Sequence, residues 1–169
     1  MNAAIMGGVA GEVLRQMLTF RLGEEAYGVD ILRVQEIRGW SPVTRIPHSR
    51  PHVLGVLNLR GSIVPIIDLR VRFSLVKADF TPLTVIIVLS IETETGRREC
   101  GLVVDSVSDV VDLAPDAMRP VPHLSCSVDA EFIQGLATVD DRMMILLNVD
   151  ELVGHELLPA EAARKTGTG

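Results

Sequence analysis

Residues 55–69 read GVLNLRGSIVPIIDL. Two apolar runs flank a polar turn, Arg60-Gly61-Ser62. Val56, Leu57 and Leu59 precede it; Ile63, Val64, Pro65, Ile66 and Ile67 follow, and Asp68 closes the run. Glycine in the turn supplies the backbone freedom that a tight reversal needs. Segments this apolar do not face water on both sides, so the stretch predicts a hairpin in the core with Arg60 at its solvent tip.

The hairpin has a second copy. GVLNLRGSIVPIIDL lies over GLATVDDRMMILLNV (135–149) without a gap, at an offset of 80, matching Gly55 to Gly135 and Asp68 to Asn148. Working outward, GVDILRVQEI (28–37) lies over GLVVDSVSDV (101–110) at an offset of 73. Ile46-Pro47-His48 lies over Val121-Pro122-His123 at an offset of 75. Rising offsets are what loop insertions between matched strands produce, so the chain reads as an internal repeat. The copies differ at the tip, where Arg60-Gly61-Ser62 becomes Asp140-Asp141-Arg142. Both satisfy the need for a polar turn, so the architecture does not dictate the charge there.

In chain order, residues 1–16 read as a flexible Gly- and Ala-rich leader. Gln16–Leu22 and Ala26–Val29 form a first hairpin around Gly23-Glu24-Glu25. Asp30 is placed to cap a short helix over ILRVQEIRG, with Ile31, Val34 and Ile37 at helical spacing and Gly39 at its end; Val34–Ile37 also fits a strand. Val43–Ile46 is a short strand, and Pro47–Pro51 a loop. After a linker at Lys77–Pro82, Leu83–Ile91 is a strand rich in β-branched residues. Glu99–Val104 returns, and Asp105 is placed to cap a helical or mixed segment through Val111. Phe132–Val139 and Met143–Val149 form the last hairpin, followed by a helix capped by Asp150 and a polar tail over 159–169. Each repeat half, about 17–80 and 83–158, holds some five short strands, the content of a small SH3-like barrel. The fold class is therefore mainly β: two pseudo-repeated five-stranded SH3-like barrels packed together, with short helices.

Composition narrows function. The 169 residues are 47% hydrophobic and 22% charged, a folded composition. No run is long enough to span a bilayer, and the N-terminus lacks the basic segment of a secretory signal, so a cytoplasmic location is expected. Residues 1–85 carry ten Lys and Arg against seven Asp and Glu; the remainder carries six against fifteen. With no basic tract, one Trp and one Tyr, a nucleic-acid surface is disfavoured. Two regions of opposite sign suit two protein partners. Cys100 and Cys126 are expected to be reduced. The four histidines are scattered without metal-ligand spacing, and no phosphate loop or nucleophile motif occurs. The acids Asp30, Asp105 and Asp150 sit where caps belong. Neither a cofactor nor a metal is expected, and the reading is not enzymatic.

YGVDILRVQEIRG (27–39), VTRIP (43–47), GVLNLRGSIVPIIDLR (55–70) and GLVVDSVSDV (101–110) closely resemble the CheW family of bacterial chemotaxis adaptors. The likeness runs from about Met17 to about Leu158. It implies two intertwined five-stranded barrels and a scaffold that joins the cytoplasmic tips of methyl-accepting chemotaxis proteins to the regulatory domain of the CheA histidine kinase, in arrays at the membrane but without inserting into it. The alternative it leaves is a CheW-like coupling protein of a non-flagellar, pilus-motility or other chemosensory pathway. By position, the resemblance assigns Arg60, Val34, Glu36, Val104 and Val107 to the receptor and Gly55, Val56, Leu57 and Leu59 to the kinase.

Overall fold

The computed structural model describes residues 14–73, 79–120 and 130–154. Cys126, His123 and most of the expected leader and tail lie outside that range. Alternating hydrophobicity and tight turns produce ten strands: β1 (Arg15–Leu22), β2 (Glu25–Asp30), β3 (Val34–Gly39), β4 (Val53–Leu59), β5 (Ser62–Asp68), β6 (Val85–Thr93), β7 (Gly96–Val104), β8 (Ser106–Leu113), β9 (Ile133–Val139) and β10 (Arg142–Leu147). A one-turn helix, α1 (Leu69–Arg72), follows β5, and a helical turn at 149–154 follows β10. Among the described residues, no helix is long and apolar enough to cross a membrane.

The strands form two five-stranded sheets, in the orders β8-β1-β2-β10-β9 and β3-β6-β7-β5-β4. Replacing each strand by its repeat counterpart converts one order into the other. Each sheet thus takes two strands from one half of the chain and three from the other, with an antiparallel pair at one join, β1 with β8 and β3 with β6, and a parallel pair at the other, β2 with β10 and β5 with β7. Matched glycines make this pairing close. A Cβ on Gly101 would lie 2.6 Å from Ile66 Cδ1, and one on Gly28 would lie 3.1 Å from Leu146 Cδ2, the residue that the repeat matches to Ile66.

Each sheet is apolar on both faces. Along β6, Ile87, Leu89 and Ile91 enter a large core shared with Leu18, Phe20, Val29, Leu102 and Leu147 of both sheets. Ile86 and Val88 point the other way, into a smaller core with Leu59, Val64 and Ile66. The other sheet curls around its own small core of Met17, Leu113, Ala137, Met144 and Leu146. Val64 and Ile66 match Met144 and Leu146, so the repeat extends to the packing. It also extends to single hydrogen-bonded bridges: Thr44 pairs with Val56, and Arg119 with Leu136.

Four expectations need correction. Val43–Ile46, expected as a short strand, forms only the single bridge of Thr44 to Val56. The segment expected as a helix is one 3-10 turn, Ile31–Arg33, followed by strand β3. Asp30 does cap that turn, accepting from Leu32 N at 2.9 Å. The segment after Asp105 is also a strand, β8, because its backbone pairs with β1. At the C-terminal turn the capping position belongs to Asn148, whose Oδ1 accepts from Glu151 N at 3.3 Å; Asp150 lies inside the turn. Asp68, matched to Asn148, also caps its helix, α1, but accepts from the N–H two residues on, Arg70 N at 3.0 Å.

Candidate functional site

The β4–β5 turn places Arg60 and Gly61 at φ of 53° and 89°. Positive φ at both central residues is the turn geometry that matches strand twist in a two-residue hairpin. Asn58 Oδ1 accepts from Gly61 N at 2.9 Å and fixes the tip. Arg60 is held in a left-handed conformation that disfavours any side chain with a Cβ. Its guanidinium crosses to Glu36 on β3, with Nη2 2.8 Å from Oε1. β3 and β4 are opposite edges of one sheet, so this contact exists because the sheet curls until its edges approach.

Arg38, two residues along β3 and on the same face as Glu36, adds a second contact of 3.3 Å to Oε2. The hydrogen bond from Arg60 holds the Glu36 carboxyl below its ordinary pKa; partial burial opposes this, and the charges of Arg60 and Arg38 reinforce it. One carboxylate between two guanidinium groups leaves a net positive charge. The Arg60 side chain is 71% exposed and that of Glu36 25%, so the arginine is available to a further acceptor. Ile63, just past the tip, is 64% exposed.

The remaining assigned residues separate by burial. Val34 and Val107 are half-buried against the large core and retain some surface. Val104 is fully buried within that core, so its assignment to a contact surface is corrected: it packs the frame beneath. Gly55 and Leu59 are corrected likewise. Leu59 belongs to a small core, and Gly55 lies under the Thr44 carbonyl, where a Cβ would sit 2.1 Å from the oxygen. Val56 and Leu57 stay half-exposed on edge strand β4. The sequence reading missed Arg38 and Ile63. Reading 34–39 as a strand puts Arg38 on the face of Glu36, and period two from the buried Val64 and Ile66 turns Ile63 outward.

The second tip is built differently. Asp140 and Asp141 stand at φ of 52° and 64°, and Met143 is 56% exposed where the first copy has Ile63. Asp109, matched to Glu36, is bound to Thr19, whose Oγ1 donates to Asp109 Oδ1 at 3.0 Å and accepts from Asp109 N at 3.1 Å. Among the described residues, only the first copy pairs its β-strand acid with an arginine at the tip. Among the described residues no three His, Cys, Asp or Glu side chains are grouped to hold a metal.

Fold and site together define a duplicated two-sheet β protein whose distinguishing surface is an exposed, ion-paired hairpin tip beside apolar residues. Residues 16–157 match the CheW-like domain, and the chain belongs to the CheW family. It is 45% identical to a chemotaxis protein CheW of Klebsiella aerogenes over 90% of each chain. It is 40% identical to a probable chemotaxis protein CheW of Rhizobium etli, covering 82% of this chain and 86% of that one. The crystal structure of the scaffolding protein TtCheW from Thermoanaerobacter tengcongensis superimposes with a TM-score of 0.74 at 33% identity, over 83% of this chain and 88% of that one. This is a non-catalytic family, and the chain is a chemotaxis protein of the CheW type.

Proposed function

We propose that the chain couples methyl-accepting chemotaxis proteins to the CheA histidine kinase, in the cytoplasm and within receptor arrays at the membrane. Arg60, with Glu36 beside it, engages the helical receptor tip, while Val34 and Val107 border the groove that takes the helix's apolar face. Val56 and Leu57 on edge strand β4 offer a surface to the regulatory domain of the kinase, over the frame set by Gly55 and Leu59. The observation that carries this reading is Arg60 itself. The fold works with aspartate at the equivalent turn, the backbone at Arg60 is strained, and the side chain is exposed and aimed at one acid. A residue kept in that state serves something outside the fold.

The test is co-sedimentation with a receptor signalling fragment and the CheA regulatory domain. Wild-type protein is expected to enter the ternary complex, and folded Arg60→Glu to lose the receptor while keeping the kinase. Unimpaired receptor binding by Arg60→Glu would move the receptor site elsewhere. No ternary complex with wild-type protein at low salt would overturn the adaptor reading.

A further inference from the structure

Among the described residues the chain passes between the sheets twice: at Ile31–Arg33, from β2 to β3, and at Asp105, from β7 to β8. A joint of the same parts stands at both passages. At the second, Asp105 N donates to Arg21 O at 3.1 Å. Asp105 Oδ2 accepts from Gly23 N in the β1–β2 turn at 2.7 Å, and Oδ1 accepts from Arg70 Nη1 of α1 at 3.1 Å. At the first, Arg33 Nη1 donates to Ser90 O at 3.1 Å. Asp150, in the turn at 149–154, accepts from Arg33 Nη1 at 2.9 Å and Nη2 at 2.5 Å, and from Glu92 N at 2.9 Å.

The hairpin and helix positions correspond, and the passage residues are one position apart, because the offset of 73 carries Arg33 to Ser106. Thr19 faces Gly28 in one sheet and Val88 faces Gly101 in the other, so a shift of 69 carries Arg21 to Ser90 and Gly23 to Glu92. The hairpin offset of 80 carries Arg70 to Asp150. Each joint therefore sets a carboxylate on a hairpin N–H and a guanidinium on the carboxylate. The acid stands on the passage in one joint and on the helix in the other, so the two charges have exchanged places.

The two arginines differ in depth. Arg70 is 1% exposed, against 37% for Asp105, and is held as well by both oxygens of Asp68 at 3.0 Å and by Asp79 O. Arg33 and Asp150 are 30% and 29% exposed. A buried arginine bonded to three residues stays in place, whereas one reached by water is released more readily.

We propose that Arg33 and Asp150 are positioning residues that set the angle between the two sheets, with Arg70 and Asp105 as the fixed pivot. Val34 directly follows Arg33, and Val107 follows Asp105 by two residues. The latch thereby sets the separation of two residues that border the proposed groove. Backbone residual dipolar couplings in a weakly aligned sample of the full chain test this without any partner, so the result is separable from the adaptor reading. In wild-type protein, couplings from both sheets should fit one alignment tensor. In Asp150→Asn each sheet should still fit by itself, with tensors that diverge between the sheets. The exchanged double variant, Arg33→Asp with Asp150→Arg, copies the polarity of the other joint and should restore a single tensor. One shared tensor in Asp150→Asn with the wild-type orientation would overturn the proposal. So would loss of structure within a sheet in that variant, or failure of the exchange to restore the fit.

Discussion

Replacing Arg60 with asparagine separates strain from function at the tip. Arg60 sits at φ 53° before Gly61 at φ 89°. A left-handed backbone costs a residue with a Cβ about 1–2 kcal/mol, and asparagine tolerates it better than most. Asn-Gly is also the preferred pair for this turn. Against the gain stands the ion pair to Glu36, which is water-accessible on the arginine side and therefore contributes little to stability. The Gly61 N–H keeps its acceptor, Asn58, in the variant. The net expectation is stabilisation by about 1 kcal/mol, which raises the melting temperature by about 2–4 °C in a protein of this size. Thermal denaturation followed by circular dichroism, with urea titration alongside, measures it. The same variant should lose receptor co-sedimentation. A lower melting temperature in Arg60→Asn would refute the reasoning, because the guanidinium would then be holding the hairpin to β3.

Three further outcomes follow from the same region. Gly55 has φ +151° and its absent Cβ would meet the Thr44 carbonyl oxygen at 2.1 Å, so Gly55→Ala should cost about 3 kcal/mol or more in urea denaturation. Gly61→Ala, with nothing within 4 Å, should cost only the strain of about 1 kcal/mol. Equal losses would show that the Thr44 bridge moves aside. The Glu36 carboxyl should titrate below its ordinary 4.5 when followed by carbon NMR, and Arg60→Gln should move the midpoint up. Because folding depresses this pKa, the pairing supports the folded state above the unfolded midpoint and loses that support as pH falls through the folded one. A wild-type midpoint at or above 4.5 would contradict the ion pair.

Much of this fold could be read directly. Tight turns between alternating runs located the hairpins β1–β2, β4–β5, β6–β7 and β9–β10, because those pairings are local. The segments 31–39 and 105–111 resisted for a physical reason. Ile31, Val34 and Ile37 satisfy helical spacing, yet β3 alternates half-buried and exposed positions, and pairing with β6 some fifty residues away decides the matter. β8 is settled by pairing with β1 across still greater separation. At the site, the internal comparison of tips singled out Arg60 without structure. Its link to Glu36 depends on the curl of the sheet, the burial of Val104 and Leu59 on which core each strand face enters, and that of Gly55 on the bridge of Thr44 to Val56. Asp150 looks like a cap in sequence because its true partner, Arg33, stands at the far end of the chain.

The exchange of strands between halves has a consequence for synthesis. The sheet of β3 to β7 has all its strands once residue 104 has left the ribosome. The first two strands made cannot use that opportunity, because β10, which pairs with β2 inside their sheet, ends at residue 147. The hairpin of Phe20, Tyr27 and Val29 must therefore wait, its apolar side laid on a neighbour that folds before it, until residue 147 has emerged. Among the described strands, those translated earliest are among the last to be completed.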